Sequence, residues 1–181
     1  MGDRRESSDA PTSRLRARRH LQIVVGKPLW DLDLAVDMAM FSLGSSAGTP
    51  GEDGRGMAKP EYALHVQCPW RLVRAGIIEL GSWDLARADP HALHGGPLGE
   101  RIERLVRPRP EVLMLQLKTA GSLVLGLSGG MRLEVFPDSG ATKGTSVEFW
   151  RFLAPGSERP HVVCESDGYF LDQGVEPTAM P

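Results

Sequence analysis

Residues 111–137 constrain the fold more than any other part of the chain. They read EVLMLQLKTAGSLVLGLSGGMRLEVFP, in which apolar runs of strand length are separated by tight-turn sequences at Thr119–Gly121 and Ser128–Gly130. Short apolar runs bounded by glycine-containing turns are typical of β-hairpins. The stretch therefore predicts three antiparallel strands joined by two short turns.

The remaining chain continues this pattern of short apolar runs between turn residues. The run DLDLAVDMAM at 31–40 fits either a helix capped by Asp33 or a strand on which apolar residues and aspartates alternate, and the alternation favours the strand. One helix is indicated at about 97–107, because Pro97 suits a first helical turn and the apolar residues that follow share one side. We expect a mainly β or α+β protein, a curved antiparallel sheet of about 8–10 short strands with this one helix.

The domain organisation follows from where apolar residues are scarce. Residues 1–19 hold six arginines against three acids and almost no large apolar side chains, which predicts a disordered basic tail. Residues 20–175 then form a single globular domain, within which the glycine-rich stretch 44–60 is expected to be a mobile loop. Residues 176–181 form a second tail.

Charge and cysteine content limit the function classes. A net charge of −2 argues against nucleic acid or an anionic membrane as partner, and no apolar run reaches the roughly 18 residues of a membrane span. The two cysteines, Cys68 and Cys164, lie in apolar stretches and are too few for a disulfide scaffold. They predict buried, reduced thiols in a cytoplasmic protein. We also predict no cofactor.

The segment Gly126–Gly130 reads GLSGG and matches the G-x-S-x-G pattern of a hydrolase nucleophile, with Asp138 and His161 following in the order that a catalytic triad needs. The pattern requires a strand, a sharp turn and then a helix, whereas the sequence after Ser128 alternates like another strand. We interpret it as a hairpin turn that uses glycine for positive φ.

Two further groups of polar residues are candidate sites. Asp89, His91 and His94 have a spacing that suits a shared metal on one helical turn, but the neighbouring proline and glycines favour an exposed loop. Aspartates at 31, 33 and 37 would share one strand face and have the chemistry for acid–base work or a hard cation, although such a face is also an ordinary solvent-facing one. We predict no catalytic residue and no metal ligand.

The segment Tyr62–Leu72, YALHVQCPWRL, holds the densest set of reactive side chains. Alternation on a strand places Cys68 on the apolar face and His65 on the other, so the two cannot form a pair. Pro69 suggests a bulge or a strand end that could redirect its neighbours. The residues predicted to form a partner or ligand surface are His65, Gln67, Trp70, Arg71, Trp150 and Asp37.

The motifs HVQCPWR early in the chain and LEVFP followed by WRF late in the chain resemble those of a group of small uncharacterised bacterial proteins. The resemblance covers most of residues 20–171. Such β-rich proteins are similar in size and style to the immunity proteins of contact-dependent toxin systems. The resemblance implies a bacterial protein of that style and assigns no catalytic residue.

These observations lead to two hypotheses of different class. The first is a non-enzymatic, intracellular bacterial module that binds another protein, as an immunity or accessory factor, through open sheet edges and tryptophan side chains. The second is a small-ligand binder or hydrolase with a pocket between the helix and the sheet, lined by His65, Gln67 and Arg71.

Overall fold

The computed structural model describes residues 10–47, 59–87, 95–140 and 145–172. Within these residues the chain forms eleven strands: β1 Leu29–Ala35, β2 Met38–Ala47, β3 Lys59–Val66, β4 Trp70–Arg74, β5 Ile77–Gly81, β6 Val112–Leu117, β7 Leu123–Leu127, β8 Met131–Val135, β9 Glu148–Leu153, β10 His161–Glu165 and β11 Gly168–Asp172. Three α-helices accompany them: α1 Ala10–Leu21, α2 Ser82–Ala86 and α3 Gly96–Val106.

The strands form two antiparallel sheets. One has six strands in the order β1-β2-β3-β9-β10-β11, and the other has five in the order β5-β4-β8-β7-β6. The predicted class is confirmed: the protein is mostly antiparallel β with few helices. The prediction of a single sheet was wrong, because alternation along a strand indicates which face is buried and not which strands are its partners.

Residues 111–137 form the meander β6–β7–β8. Its two turns lie at Thr119–Gly121 and Ser128–Gly130, as predicted, and each contains left-handed residues such as Gly121 and Gly129, with φ of +76° and +72°. All five residues of β7 are buried, which fits a strand with neighbours on both sides.

Both sheets contribute to one hydrophobic core. Phe41 of β2 meets Trp70 of β4 edge-on, with ring centroids 4.9 Å apart. Trp150 of β9 donates its indole N–H to the carbonyl oxygen of Gly121 in the other sheet's turn, at 2.7 Å. Trp70 is 3% exposed and Trp150 is fully buried, so the prediction that they belong to a partner surface is wrong. Their indoles fill the space between the sheets instead.

Helix α1 corrects the prediction of a disordered tail over residues 10–19. Its buried residues Ser13, Ala17 and Leu21 are spaced by four and form a narrow stripe along one side. The helix contacts β11 and β10 of one sheet and β6 of the other. Two of the three stripe residues are small, which explains why a search for large apolar side chains overlooked them. Residues 1–9 lie outside the described residues.

Helix α3 confirms the predicted helix to within one residue at each end. Pro97 lies in its first turn, and Ile102, Leu105 and Val106 are buried. This apolar side faces the core next to β1. No helix among the described residues is long and apolar enough to cross a membrane.

The glycine-rich stretch 44–60 is only partly a connection between strands. Residues 44–47 extend β2 and residues 59–60 begin β3, because backbone pairing continues past the last large apolar side chain. The predicted mobile loop otherwise falls on residues 48–58, and the predicted tail on residues 176–181. Both lie outside the described residues.

Candidate functional site

His65 and Gln67 lie on and just after β3, in the six-stranded sheet. His65 pairs with Arg151 of β9. Its neighbours Leu64 and Val66 are buried in the core, so alternation directs the half-buried His65 to the outer face of the sheet. Gln67 is exposed, and its backbone N–H donates to the carbonyl oxygen of Phe149 on β9, the neighbouring strand in the sheet.

Arg151 is the centre of an ion-pair cluster on this outer face. Its guanidinium binds both carboxylate oxygens of Glu148, at 2.8 and 3.1 Å, and Oδ2 of Asp172 at 2.9 Å. It also donates to Nδ1 of His161 at 3.2 Å, which places the proton of a neutral His161 on Nε2, because a guanidinium has no acceptor. A register shift at the start of β9 brings Glu148 and Arg151 to the same side, although a regular strand would separate residues three apart.

Burial and the charge of Arg151 favour the neutral form of both histidines. Burial is the main reason that the pKa of His65 and that of His161 lie below 6.5, and the charge of Arg151 adds to the effect in each case. The hydrogen bond that Arg151 donates to Glu148 contributes most to raising the pKa of Arg151. The hydrogen bond to Asp172 raises it further. Because two carboxylates already neutralise this arginine, the cluster has the character of a structural network rather than of an anion site.

Arg71 lies in the other sheet, on β4. Its Nε is 2.7 Å from Oε2 of Glu134, and its guanidinium lies 5.2 Å from the ring centroid of Phe136. The structure therefore does not bring Arg71 together with His65 and Gln67, and the pocket predicted from these three residues is not formed by them. The reason is the connection at residues 67–69, which carries the chain from one sheet to the other.

Asp37 is separated from the other two aspartates by a turn. It lies exposed with Val36 between β1 and β2, where Ala35 pairs with Met38. The aspartates at 31 and 33 remain on β1, and each accepts the backbone N–H of the residue that follows it. The prediction of one strand over residues 31–40 with an aspartate face is wrong, since the chain reverses at 36–37.

The G-x-S-x-G motif is a turn, as the sequence context predicted. Ser128 begins the turn between β7 and β8, and its Oγ accepts the backbone N–H of Glu111 at 2.9 Å. Gly129 and Gly130 both have positive φ. The hydroxyl thus links the turn to Glu111, just before β6, and His161 lies in the other sheet, where Arg151 donates to it.

Both cysteines are free and buried, which confirms that part of the prediction. Burial raises the pKa of Cys68 to about 12 and that of Cys164 further above its ordinary range. Both sulfurs are therefore protonated thiols at neutral pH, and a thiol is a poor nucleophile.

The described residues contain no group of three or more His, Cys, Asp or Glu side chains that could hold a metal ion. The candidate ligands Asp89, His91 and His94 lie outside the described residues, so that hypothesis stays a prediction.

The free edge of β5 is a different feature, which the sequence did not single out. Among the described strands β5 pairs with β4 alone, and it begins after the turn Ala75–Gly76, whose residues have φ of +49° and +82°. Ile77 and Ile78 on this edge are 68% and 53% exposed. A register shift at Glu79 separates them from the buried Leu80. Two neighbouring isoleucines are therefore exposed to solvent on a strand whose outer edge has no partner among the described strands.

The same edge continues directly into α2, which carries the exposed Trp83. The helix is fixed at its start by Asp84, whose carboxylate accepts the N–H of Gly81 at 2.9 Å and lies 3.6 Å from Arg101 of α3. Leu85 of the same helix is buried, while the indole of Trp83 is 72% exposed. We call Ile77, Ile78 and Trp83 the β5 edge surface.

Sequence patterns had little power to find this surface. The run GIIELGSW predicts a strand followed by a turn, but it does not show that the strand is the last of its sheet. No protein-family model, curated protein or solved structure matches the chain. The resemblance to small bacterial proteins therefore stays a prediction, and function has to be inferred from the geometry.

Proposed function

We propose that this protein is a non-enzymatic binding module that captures an extended segment of another protein along the free edge of β5. The observation that carries the proposal is the β5 edge surface, in which an unpaired strand edge is combined with exposed Ile77, Ile78 and Trp83. A strand edge offers unpaired N–H and C=O groups to an incoming strand, and apolar side chains beside it add affinity. Tryptophan is among the residues that most often anchor interfaces.

The contrast between β5 and the other edge strands supports the proposal. Helix α1 contacts β11 and β6, and α3 contacts β1, whereas the helix that contacts β5 is α2, the five-residue helix that directly follows it in the chain. Edge strands that avoid pairing commonly carry lysine, proline or several charges, whereas β5 reads IIELG with a single charge at Glu79. The register shift at this residue limits pairing to a short segment, which fits a peptide-like partner better than a whole sheet.

The candidate reactive groups have structural partners, which fits a binding role. Ser128 accepts a backbone hydrogen bond, His161 binds Arg151, and the two thiols are buried. The proposal places the protein in the cytoplasm, where unpaired cysteines are the rule. An immunity or accessory protein that occupies a partner's strand would be one form of this function.

The proposal is tested by selecting displayed random peptides of about 12 residues, long enough to span a short strand. We expect the wild type to enrich extended peptides with alternating apolar residues. Binding should add hydrogen-exchange protection to the amides of β5. The variants Ile78→Lys and Trp83→Ala should each weaken the binding about tenfold or more, as loss of an interface anchor does.

Leu113→Lys is the matched control, because Leu113 is 60% exposed on β6, the opposite edge strand of the same sheet. It should bind peptides like the wild type, and all variants should unfold at a similar urea concentration. Equal binding by Ile78→Lys, or protection that appears away from β5, contradicts the proposal. A dimer of this chain that Ile78→Lys dissociates would assign the edge to a second copy instead.

A further inference from the structure

A cavity of about 420 Å³ opens at one end of the core, away from the β5 edge surface. It lies between the turn Thr119–Gly121, the start of β9 and the turn that joins β10 to β11, and the first turns of α1 stand at its mouth. Pockets for small ligands commonly have volumes of roughly 300–1,000 Å³. None of the lining residues belongs to β5 or α2, so a ligand here is independent of the proposed strand capture.

The inner wall of the cavity is apolar. Phe149 and Cys164 are buried side chains, and Pro137 lies beside them. Gly121 has no side chain to fill the space, and a Cβ there would come within 2.8 Å of the Cys164 sulfur. The carbonyl oxygen of Gly121 already accepts the indole N–H of Trp150. This wall therefore suits an apolar group and offers it no unsatisfied carbonyl.

The mouth of the cavity carries two cations, Arg14 of α1 and Lys118 before the turn. Among the described residues neither side chain forms an ion pair or a hydrogen bond. Tyr169 interacts with both residues. Its hydroxyl donates to the Lys118 carbonyl oxygen at 3.2 Å. Burial raises the pKa of Tyr169, and the nearby charge of Arg14 partly offsets this rise.

Two acids, Asp167 and Glu165, also line the cavity. Asp167 accepts the hydroxyl of Ser146 at 2.8 Å, and Glu165 also has a partner. The mouth thus combines two cations that have no ion-pair partner among the described residues with two carboxylates that have other partners, and the interior is apolar.

We propose that this cavity binds a small amphipathic organic anion, a carboxylate attached to an aromatic or branched aliphatic body. The body lies against Phe149 and Pro137, and the carboxylate lies at the mouth with Arg14 and Lys118. Complementary charge at the rim of an apolar pocket gives both orientation and affinity to such a ligand. A cation of the same size would meet two unpaired positive charges.

The test uses two fluorescent probes with the same aromatic body, anilinonaphthalene sulfonate and its uncharged parent phenylnaphthylamine. We expect saturable one-to-one binding of both, with the anion bound more tightly. Arg14→Glu and Lys118→Glu should each weaken the binding of the anion about tenfold and leave the uncharged probe within about twofold. Both changes are at exposed positions, and circular dichroism checks that the variants fold.

The controls are Arg18→Glu, an exposed position of α1 outside the cavity, and Lys59→Glu. Neither should change the affinity for the anion by more than about twofold. The indole N–H resonance of Trp150, whose acceptor is a cavity residue, should shift on titration, whereas that of the exposed Trp83 should not.

Three results would overturn the inference. One is the absence of saturable binding, and another is a Trp150 resonance that stays in place while probe binds. The third is a loss of affinity that is the same for both probes or for Arg14→Glu and Arg18→Glu alike.

Discussion

At the scale of single residues, His65 and His161 on the outer face of the six-stranded sheet make the stability of the protein depend on pH. Both pKa values lie below 6.5 in the folded protein, mainly because of burial and secondly because of Arg151. In the unfolded chain the pKa of each histidine returns to its ordinary value of about 6.5. The unfolded state therefore takes up protons at a higher pH than the folded state, and folded stability falls as the pH drops through about 6.5.

We expect the wild type to have a lower urea midpoint at about pH 5.5 than at about pH 7.5. His65→Gln and His161→Asn should each reduce this difference, because neither amide titrates. In His161→Asn the amide oxygen can still accept the hydrogen bond from Arg151. His20→Gln, a change at an exposed position of α1, serves as control. Glu61, whose pKa its hydrogen bond with Lys27 lowers to about 2, does not titrate in this window. Equal midpoints at the two pH values would refute the assignment.

At the scale of the elements, α1 is held by an unusually narrow contact. Ser13, Ala17 and Leu21 are its buried residues with described side chains, and arginines occupy much of the remaining surface. Small side chains let the helix lie close to β11 and β6, so the attachment depends on shape more than on apolar area.

Ala17→Asp should therefore release α1 from the sheets. An unpaired carboxylate at a position that is 1% exposed is expected to lower the free energy of unfolding by roughly 3 kcal/mol. Leu15→Asp, on the same helix but 50% exposed, should change it by less than about 0.5 kcal/mol. Urea unfolding monitored by circular dichroism measures both. Similar losses for the two variants would show that the stripe is not what attaches the helix.

Elements with strong local signals were predictable from the sequence, and their assembly was not. The meander β6–β8 follows from alternation and glycine turns, and α3 follows from Pro97 and its apolar periodicity. Nothing in a single sequence indicates that β3 and β4 belong to different sheets, because the connection between them is as short as a hairpin. The exposure of Trp83 and the burial of Trp150 depend on that division, so the predicted surface included the wrong tryptophans.

At the scale of the whole molecule, the two sheets depend on each other through one core. Trp150 of the six-stranded sheet donates to Gly121, in a turn of the five-stranded sheet. Cys68 lies in the connection between the sheets, and Cys164 lies on β10 near the cavity. A core shared in this way is expected to unfold as one cooperative unit.

Thiol labelling under native conditions tests this cooperativity. Because both thiols are buried and protonated, we expect Cys68 and Cys164 to react only when the molecule opens globally, provided that the reagent is too large to enter the cavity that Cys164 lines. The two cysteines should then give the same opening free energy and the same dependence on urea, as measured separately in the variants Cys68→Ala and Cys164→Ala. Rapid labelling of Cys68 while Cys164 stays protected would mean that the connection opens independently of the core.

The contact between α1 and β11 joins the first and the last elements that the structure describes. During synthesis a chain leaves the ribosome from its N-terminus, so of the described elements α1 emerges first and β11 emerges last. Until β11 is synthesised, the stripe of α1 lacks its main partner. A helix of this length is only marginally stable on its own. The native molecule can therefore close only after translation has passed β11, and any premature stop before this strand leaves the outer edge of β10 unpaired and α1 with only its smaller contacts to β6 and β10.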